Sequence, residues 1–271
     1  MANDDVLEGA VNRGELVRFK ERHPRFAAAA TRLQDALDRA LNRRLELIQG
    51  KSVSVQSAVF GLGHQVADDF FDIVVLAVHG NGMGAVKLLR PLYERVVTAL
   101  YLMKYPYEVN AFNVYGDINV GRFIRRAQND GLDLSAAPAE WLTDVEKAYA
   151  AALPLFTDAK GRIRSSWTTL SLEALAQKVG LEKLYGRCAL WPTMQIHSTR
   201  AGLDARLRVS KQDILFTHEP QPDHADYALR YAHDLTVHLL AALNNFFGWG
   251  FDVRALARDC VNCWRETSAR D

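Results

Sequence analysis

Apolar residues recur at steps of three and four along most of this chain, and this spacing constrains the fold more than any other feature. It places apolar side chains on one face of an α-helix, which has about 3.6 residues per turn. The first such stripe consists of Phe26, Ala30, Leu33, Leu37, Leu41, Leu45 and Ile48. Pro24 stands in the first turn of this predicted helix and Gly50 follows its end, which is typical of helix boundaries.

The same spacing predicts helices along the rest of the chain. They cover approximately residues 54–78, 83–105, 107–129, 138–152, 172–179, 181–199, 224–247 and 252–266. Residues 202–223 have mixed character and predict a loop or a short hairpin. We therefore expect an all-α, multi-helix bundle of eight to ten helices. It forms a single compact helical domain over residues 1–271, and two lobes meeting near the polar turn at 157–166 are the alternative.

Composition limits the classes of function and the cellular location that we expect. The chain has 33 Lys+Arg and 32 Asp+Glu residues, whereas a general nucleic-acid binder has a strong basic excess. Three cysteines are too few and odd in number for a disulfide framework, which favours a reducing cytoplasm. The acidic segment Met1–Asp5 is unlike a secretory signal, and apolar runs such as Ile73–Val78 are too short to span a bilayer. We expect a cytoplasmic protein that does not enter a membrane.

The second predicted helix carries a polar stripe. His64, Asp68, Asp72 and His79 project within a sector of roughly 80° when each residue turns about 100°, and the rest of the circumference is nearly all apolar. Two imidazoles and two carboxylates on one face can bind a metal or take part in acid–base chemistry. The alternative is that the stripe is the solvent face of a mostly buried helix.

The third predicted helix holds a charged pair in apolar surroundings. Arg90 and Glu94 are four residues apart, so they can pair on one face. A charged pair in so apolar a helix is expected to be partly buried. Either the pair locks two helices together, or Arg90 holds an anion while Glu94 orients it.

The stretch Gly84–Glu94, with Tyr101, Phe112 and Tyr115 after it, resembles a group of bacterial all-helical domains of unknown function. In that group a small-x-x-Leu-Leu-Arg-x-x-x-Glu helix follows a helix that ends in glycine, and Trp, Tyr and Ser/Thr-x-x-x-His lie further along. The matching residues here are Trp167, Tyr185, Thr193, His197 and Ser198. The resemblance spans roughly Ser57–Arg206, and Thr193 stands where the group has Ser.

Helical families of this kind resemble the HEPN group, which includes RNases and defence-associated toxins. The resemblance implies a setting in bacterial stress or phage defence. The HEPN catalytic signature is Arg, four to six residues and His, and the match found in this chain runs from Arg18 to His23. Because this composition yields about two matches by chance, the signature does not support catalysis. A HEPN-like fold that acts by binding remains the expectation.

His197 lies near the end of a predicted helix, before the basic stretch Arg200–Lys211. A histidine in this place caps the helix, because the helix dipole favours its charged form. The alternative is that His197 contacts an anion or transfers a proton together with Arg200.

Two short patterns suggest metal sites. His233-Asp234 resembles the dyad of helical HD phosphohydrolases, in which His197 and either Asp252 or Asp259 would complete the ligands. The residues after the dyad do not match that family. Cys260 and Cys263 form at most half a zinc site, because structural zinc takes four ligands. We therefore predict no metal and no cofactor.

These observations predict a HEPN-like binding module with a polar anion pocket between the second, third and seventh predicted helices. The predicted binding residues are His64, Asp72, Arg90, Glu94, His197 and Arg200. The partner is an unknown protein or an anionic ligand, with RNA as one candidate. An RNase or a metal-dependent phosphohydrolase on the same scaffold is the alternative, and the sequence leaves open whether the protein is an enzyme. Trp249, Phe251 and Trp264, expected to be exposed, favour a homodimer.

Overall fold

A computed structural model describes residues 12–42, 45–197, 200–204, 207–210, 213–216 and 220–265. The helices in these residues are α1 (Arg13–Arg22), α2 (Phe26–Leu41), α3 (Val53–Val78), α4 (Gly82–Lys104), α5 (Val109–Asn129), α6 (Ala139–Phe156), α7 (Leu172–Val179), α8 (Glu182–Tyr185), α9 (Trp191–Ile196), α10 (Arg200–Asp204), α11 (Pro222–Phe247) and α12 (Val253–Arg265). A 3₁₀ turn, Pro106–Glu108, precedes α5, and a π-helical turn, Gly186–Leu190, joins α8 to α9.

The fold is all-α, as the apolar spacing predicts. Apart from the single turns α8 and α10, the part of the chain that the structure describes has ten α-helices. The strands there form one antiparallel hairpin, β1 (Leu207–Val209) and β2 (Ile214–Phe216). This hairpin falls in the segment of mixed character. In the described ranges, no helix has the length and apolar character needed to cross a membrane.

The core is built around α3, α4 and α11, which pack against one another. Each contributes large side chains that are fully buried, such as Phe70, Leu89 and Leu235. A tight turn joins two of these helices. His79 is the C-cap of α3, and Gly80 after it adopts φ +82°, a conformation that favours glycine. Asn81 then caps α4 by accepting a hydrogen bond from the N–H of Gly84 at 3.0 Å.

Two helices form an arm with its own small core. Within the described residues, α6 packs mainly on α5. The buried residues between them are Tyr115, Ile118, Tyr149, Ala152 and Phe156. The arm ends in a turn closed by a bridge between Thr157 and Ile163. This second core lies next to the polar turn at 157–166, where the sequence suggests that two lobes meet; the division into lobes stays a prediction.

The first predicted helix is too long. The helix α2 ends at Leu41, and Leu45 and Ile48 are not helical. The buried side chain of Gln56 accepts a hydrogen bond from the N–H of Ile48 at 2.7 Å and donates to the carbonyl of Lys51 at 3.0 Å. These bonds satisfy the loop backbone without a helix.

The structure also contains a helix that the periodicity missed and buries aromatic residues expected to be exposed. The helix α1 is polar, with only Glu15 and Phe19 buried, so its apolar spacing is weak.

Trp264 is buried against His23 and Phe26. Trp249 and Phe251 are half-buried. Trp264 therefore does not support the surface argument for a homodimer, and self-association stays a prediction.

Candidate functional site

Arg90 and Thr193 meet although 103 residues separate them. Arg90 is half-buried on α4, and its Nη1 donates to Thr193 Oγ1 on α9. The Thr193 hydroxyl in turn donates to the carbonyl of Ala189 at 2.6 Å. The structure thus brings together two residues from motifs that lie far apart in the sequence.

The predicted ion pair between Arg90 and Glu94 is not formed. Glu94 is exposed, and the described residues include no ion pair to either side chain. The neighbouring Arg95 instead pairs with Asp69 of α3 and donates from Nε to Gln65 at 3.2 Å. Five residues along a helix, at about 100° each, turn the side chain by a net angle of about 140°, so Arg95 faces α3 while Arg90 faces α9.

The Arg95–Asp69 pair is a partly buried ion pair between α4 and α3. Burial raises the pKa of Asp69, and the hydrogen bond from Arg95 opposes that rise. Sequence reasoning missed both residues, because neither stands in the polar stripe nor at a helical spacing from an opposite charge. Only the packing of α4 against α3 brings them together.

The polar stripe on α3 is the outer face of that helix. Asp68 and Asp72 are exposed, and His64 is half-buried with its ring 4.9 Å from the ring of Phe60. His79 is half-buried as the C-terminal cap of α3. Among the described residues, no hydrogen bond or ion pair connects this stripe with Arg90. The structure therefore places His64 and Asp72 at the surface, and their role in binding stays a prediction.

His197 and Arg200 lie just beyond the Arg90 contact. His197 is the exposed C-cap of α9, and its N–H donates to the carbonyl of Thr193 at 3.1 Å. Arg200 is exposed at the start of α10. Ser198 of the motif, and Arg206 and Lys211 of the basic stretch, lie outside the described residues. His197 therefore caps a helix and stays close in sequence to the hydroxyl that binds Arg90.

The candidate metal patterns are not supported. His233 is buried, its ring packs 5.9 Å from that of Phe26, and burial lowers its pKa to about 4. Cys260 and Cys263 are buried free thiols, and burial raises the pKa of both. Within the chain segments that the structure describes, no group of three or more His, Cys, Asp or Glu residues is arranged to hold a metal ion.

A cleft between α11 and α12 has no counterpart in the predicted site. Between the two helices lies a cavity of about 520 Å³, a volume in the range of small-molecule sites. An adjoining cavity shares Asp234, Cys260 and Val261 with it. Ala241 of α11 and Ala257 of α12 both line the cavity between the two helices. The signal in the sequence that could have indicated this cleft is the presence of small residues, such as Ala241 and Ala257, on two consecutive predicted helices.

Comparisons with known proteins identify a family and nothing more specific. A family of unknown function, DUF5677, matches residues 70–215, which is more than half of the chain. The match includes all of α4 and α9, and so contains Arg90, Thr193 and His197. Neither a curated protein nor a solved structure matches the chain. The chain belongs to the DUF5677 family of unknown function.

Proposed function

We propose that this protein is a helical binding module that holds an anion at Arg90. The observation that carries the proposal is that the half-buried guanidinium of Arg90 is bonded to a neutral hydroxyl, that of Thr193, rather than to a carboxylate. Removing a charge from water is costly unless the charge is paired. An anion from outside the chain would supply that pairing, and guanidinium N–H groups bind carboxylates and phosphates well.

Arg95, on the same helix, provides the contrast. Its guanidinium is bonded to the carboxylate of Asp69, so its charge is already neutralised within the protein. Thr193 cannot do the same for Arg90, because a hydroxyl carries no charge. Of the two arginines, Arg90 is therefore the one suited to an external anion.

The proposed pocket includes the other predicted residues at its edge. His197 and Arg200 are exposed at the end of α9 and the start of α10, where they would contact a ligand larger than a single ion. His64, Asp72 and Glu94 would take part only by contacting such a ligand or a protein partner at the surface.

The proposed setting rests on the resemblance noted in the sequence. A HEPN-like module in bacterial stress or phage defence would bind RNA or a partner protein through this site. The proposed location is the cytoplasm, because all three thiols of the chain are free, as expected in a reducing compartment.

The test is a binding measurement with two probes, inorganic phosphate and a short oligoadenylate. We expect Arg90→Gln to weaken binding of both at least tenfold, whereas Arg126→Gln, an exposed arginine of the arm, leaves it unchanged. Arg90→Lys should retain part of the affinity, since it keeps the charge but loses the fork of donors. Circular dichroism establishes that each variant is folded. Equal affinity in folded wild type and Arg90→Gln would refute the proposal.

A second candidate function is RNA cleavage at the same site. The observation in its favour is that His197 is exposed and lies one turn after Thr193, the partner of Arg90. An exposed histidine beside a bound phosphate can act as a general base. Cleavage of the oligoadenylate that is lost in His197→Ala, with binding retained, would establish an RNase. Binding without cleavage leaves the protein as a binding module.

A further inference from the structure

The cleft between α11 and α12 holds two cavities that neither Arg90 nor Thr193 lines. The two helices are joined by the short turn at Gly248–Asp252, so they form an antiparallel hairpin. Their facing sides diverge around a cavity of about 520 Å³. It shares Asp234, Cys260 and Val261 with a second cavity, which Leu184 and Arg187 from the segment before α9 also line. Together they form one groove along the outer side of the hairpin.

The floor of the cavity between α11 and α12 is apolar. Val237 and Ala241 come from α11, Ala257 and Val261 from α12, and Phe251 from the turn between them. Alanines on both helices leave space that larger side chains would fill. Apolar surface of this kind gains free energy when a ligand removes it from water.

The other end of the groove is basic. Arg187 and Arg230 border the second cavity, and Arg187 donates from Nη1 to the hydroxyl of Tyr231 at 3.0 Å. Among the residues that the structure describes, neither guanidinium has a carboxylate partner. Two arginines without acidic partners at one end of an apolar cavity attract the head group of an anion.

The acidic residues of the groove already have partners. Asp234 lies 3.3 Å from Nδ1 of His238, and its hydrogen bond raises the pKa of that histidine. Asp252 accepts a hydrogen bond from the N–H of Ala255 at 3.1 Å and so caps α12. Both carboxylates therefore have partners within the protein. The groove has surplus positive charge, because three arginines line it: Arg187, Arg230 and Arg254.

We propose that the groove binds an amphipathic organic anion, with a carboxylate at Arg187 and Arg230 and an aliphatic chain on the apolar floor. The distance along α11 from Arg230 to Ala241 is roughly 16 Å at about 1.5 Å per residue. This length suits a medium-chain aliphatic carboxylate. The site is separate from the proposed anion pocket, because neither Arg90 nor Thr193 lines either cavity.

The experiment uses dodecanoate as the probe and isothermal titration calorimetry of the full chain. We expect dodecanoate to bind, whereas dodecan-1-ol, which lacks the charge, and acetate, which lacks the chain, bind at least tenfold more weakly. Comparable affinity for dodecanol would show that the arginines do not matter, and would overturn the proposal. So would the absence of dodecanoate binding below its micellar concentration.

Variants locate the site. Arg230→Gln, an exposed change that leaves the core intact, is expected to weaken dodecanoate binding at least tenfold, and Ala257→Trp should abolish it by filling the floor. Arg258→Gln is the matched control, an exposed arginine on α12 that does not line the groove. Unchanged affinity in Arg230→Gln and in folded Ala257→Trp would refute the site. Arg90→Gln should bind dodecanoate normally, so this proposal and the Arg90 proposal fail separately.

Discussion

The same substitution at two glycines of α5 should have opposite effects on stability. At Gly121, an added Cβ would lie 2.6 Å from Cβ and 2.2 Å from Cδ2 of Tyr149. Because Cβ of Tyr149 is fixed to the backbone of α6, a rotamer change does not relieve the clash, and α6 must move. At Gly116, an added Cβ meets nothing within 4 Å. We therefore expect Gly121→Ala to destabilise the arm and Gly116→Ala to stabilise it.

The magnitudes follow from two terms. Alanine is favoured over glycine in a helix by about 0.8–1 kcal/mol, and this gain applies at both positions. Overpacking a buried contact costs about 1–3 kcal/mol, and the clash with Tyr149 adds this cost at Gly121 alone. The gain from alanine cancels between the two variants, so they should differ by about 1–3 kcal/mol, which corresponds to roughly 2–12 °C in melting temperature for a chain of this size.

Thermal unfolding monitored by circular dichroism measures the difference in stability between the two variants. Hydrogen exchange of α5 and α6 shows which part of the fold is destabilised. In Gly121→Ala, amides of the arm should exchange faster, while those of α3 and α11 keep their protection, because the arm has its own core. Equal melting temperatures for the two variants would refute the packing of Gly121 on Tyr149. Loss of protection throughout the bundle would refute the separateness of the arm's core.

Two further predictions concern α11. Burial lowers the pKa of His233 to about 4 from 6.5, so between these values the unfolded chain binds more protons than the folded chain. Stability should therefore fall as the pH drops from 6.5 towards 4, by up to about 1.4 kcal/mol per pH unit from this group. His233→Leu should remove one proton from that slope in urea unfolding at several pH values, and an unchanged slope would contradict the assignment. Asn244 accepts from the N–H of Phe251 at 2.8 Å and donates to its carbonyl at 3.4 Å, so Asn244→Ala should lower the unfolding free energy by about 1–2 kcal/mol; the exposed Asn245→Ala is the control, and equal effects would contradict this role.

Sequence periodicity predicted the helices best where local signals agree. The apolar spacing predicts a helix over residues 172–179. The structure has these bounds, with Ser171 Oγ accepting from the N–H of Ala174 and Gly180 at φ +80°. The periodicity failed beyond Leu41, where the apolar residues continue but the buried side chain of Gln56 holds the backbone in a loop. That interaction joins different elements, so no window of helical spacing contains it.

The candidate site was less predictable because it depends on which helices pack together. The sequence indicated Arg90 correctly as a charged residue in apolar surroundings, but it suggested the nearest acid, Glu94, as the partner. The partner in the structure is Thr193. Spacing within a helix identifies neighbours on one face, whereas a partner on another helix depends on tertiary packing. The same limit explains why Trp264, next to the chain's end, was expected at the surface and is buried.

The family match and the folded core do not coincide, and this bears on where a shared function lies. The match begins at residue 70, inside α3, and ends at residue 215, before α11. Because α4 packs against both α3 and α11, part of the surface that buries α4 lies outside the matched segment. A function shared by the family is therefore best sought at a contact whose two residues both lie inside the matched segment. The contact between Arg90 and Thr193 is of this kind.

The groove between α11 and α12 is not of this kind, since both helices lie outside the match. If both proposals hold, anion binding at Arg90 belongs to the family, while binding of an amphipathic carboxylate belongs to chains that carry this helical hairpin.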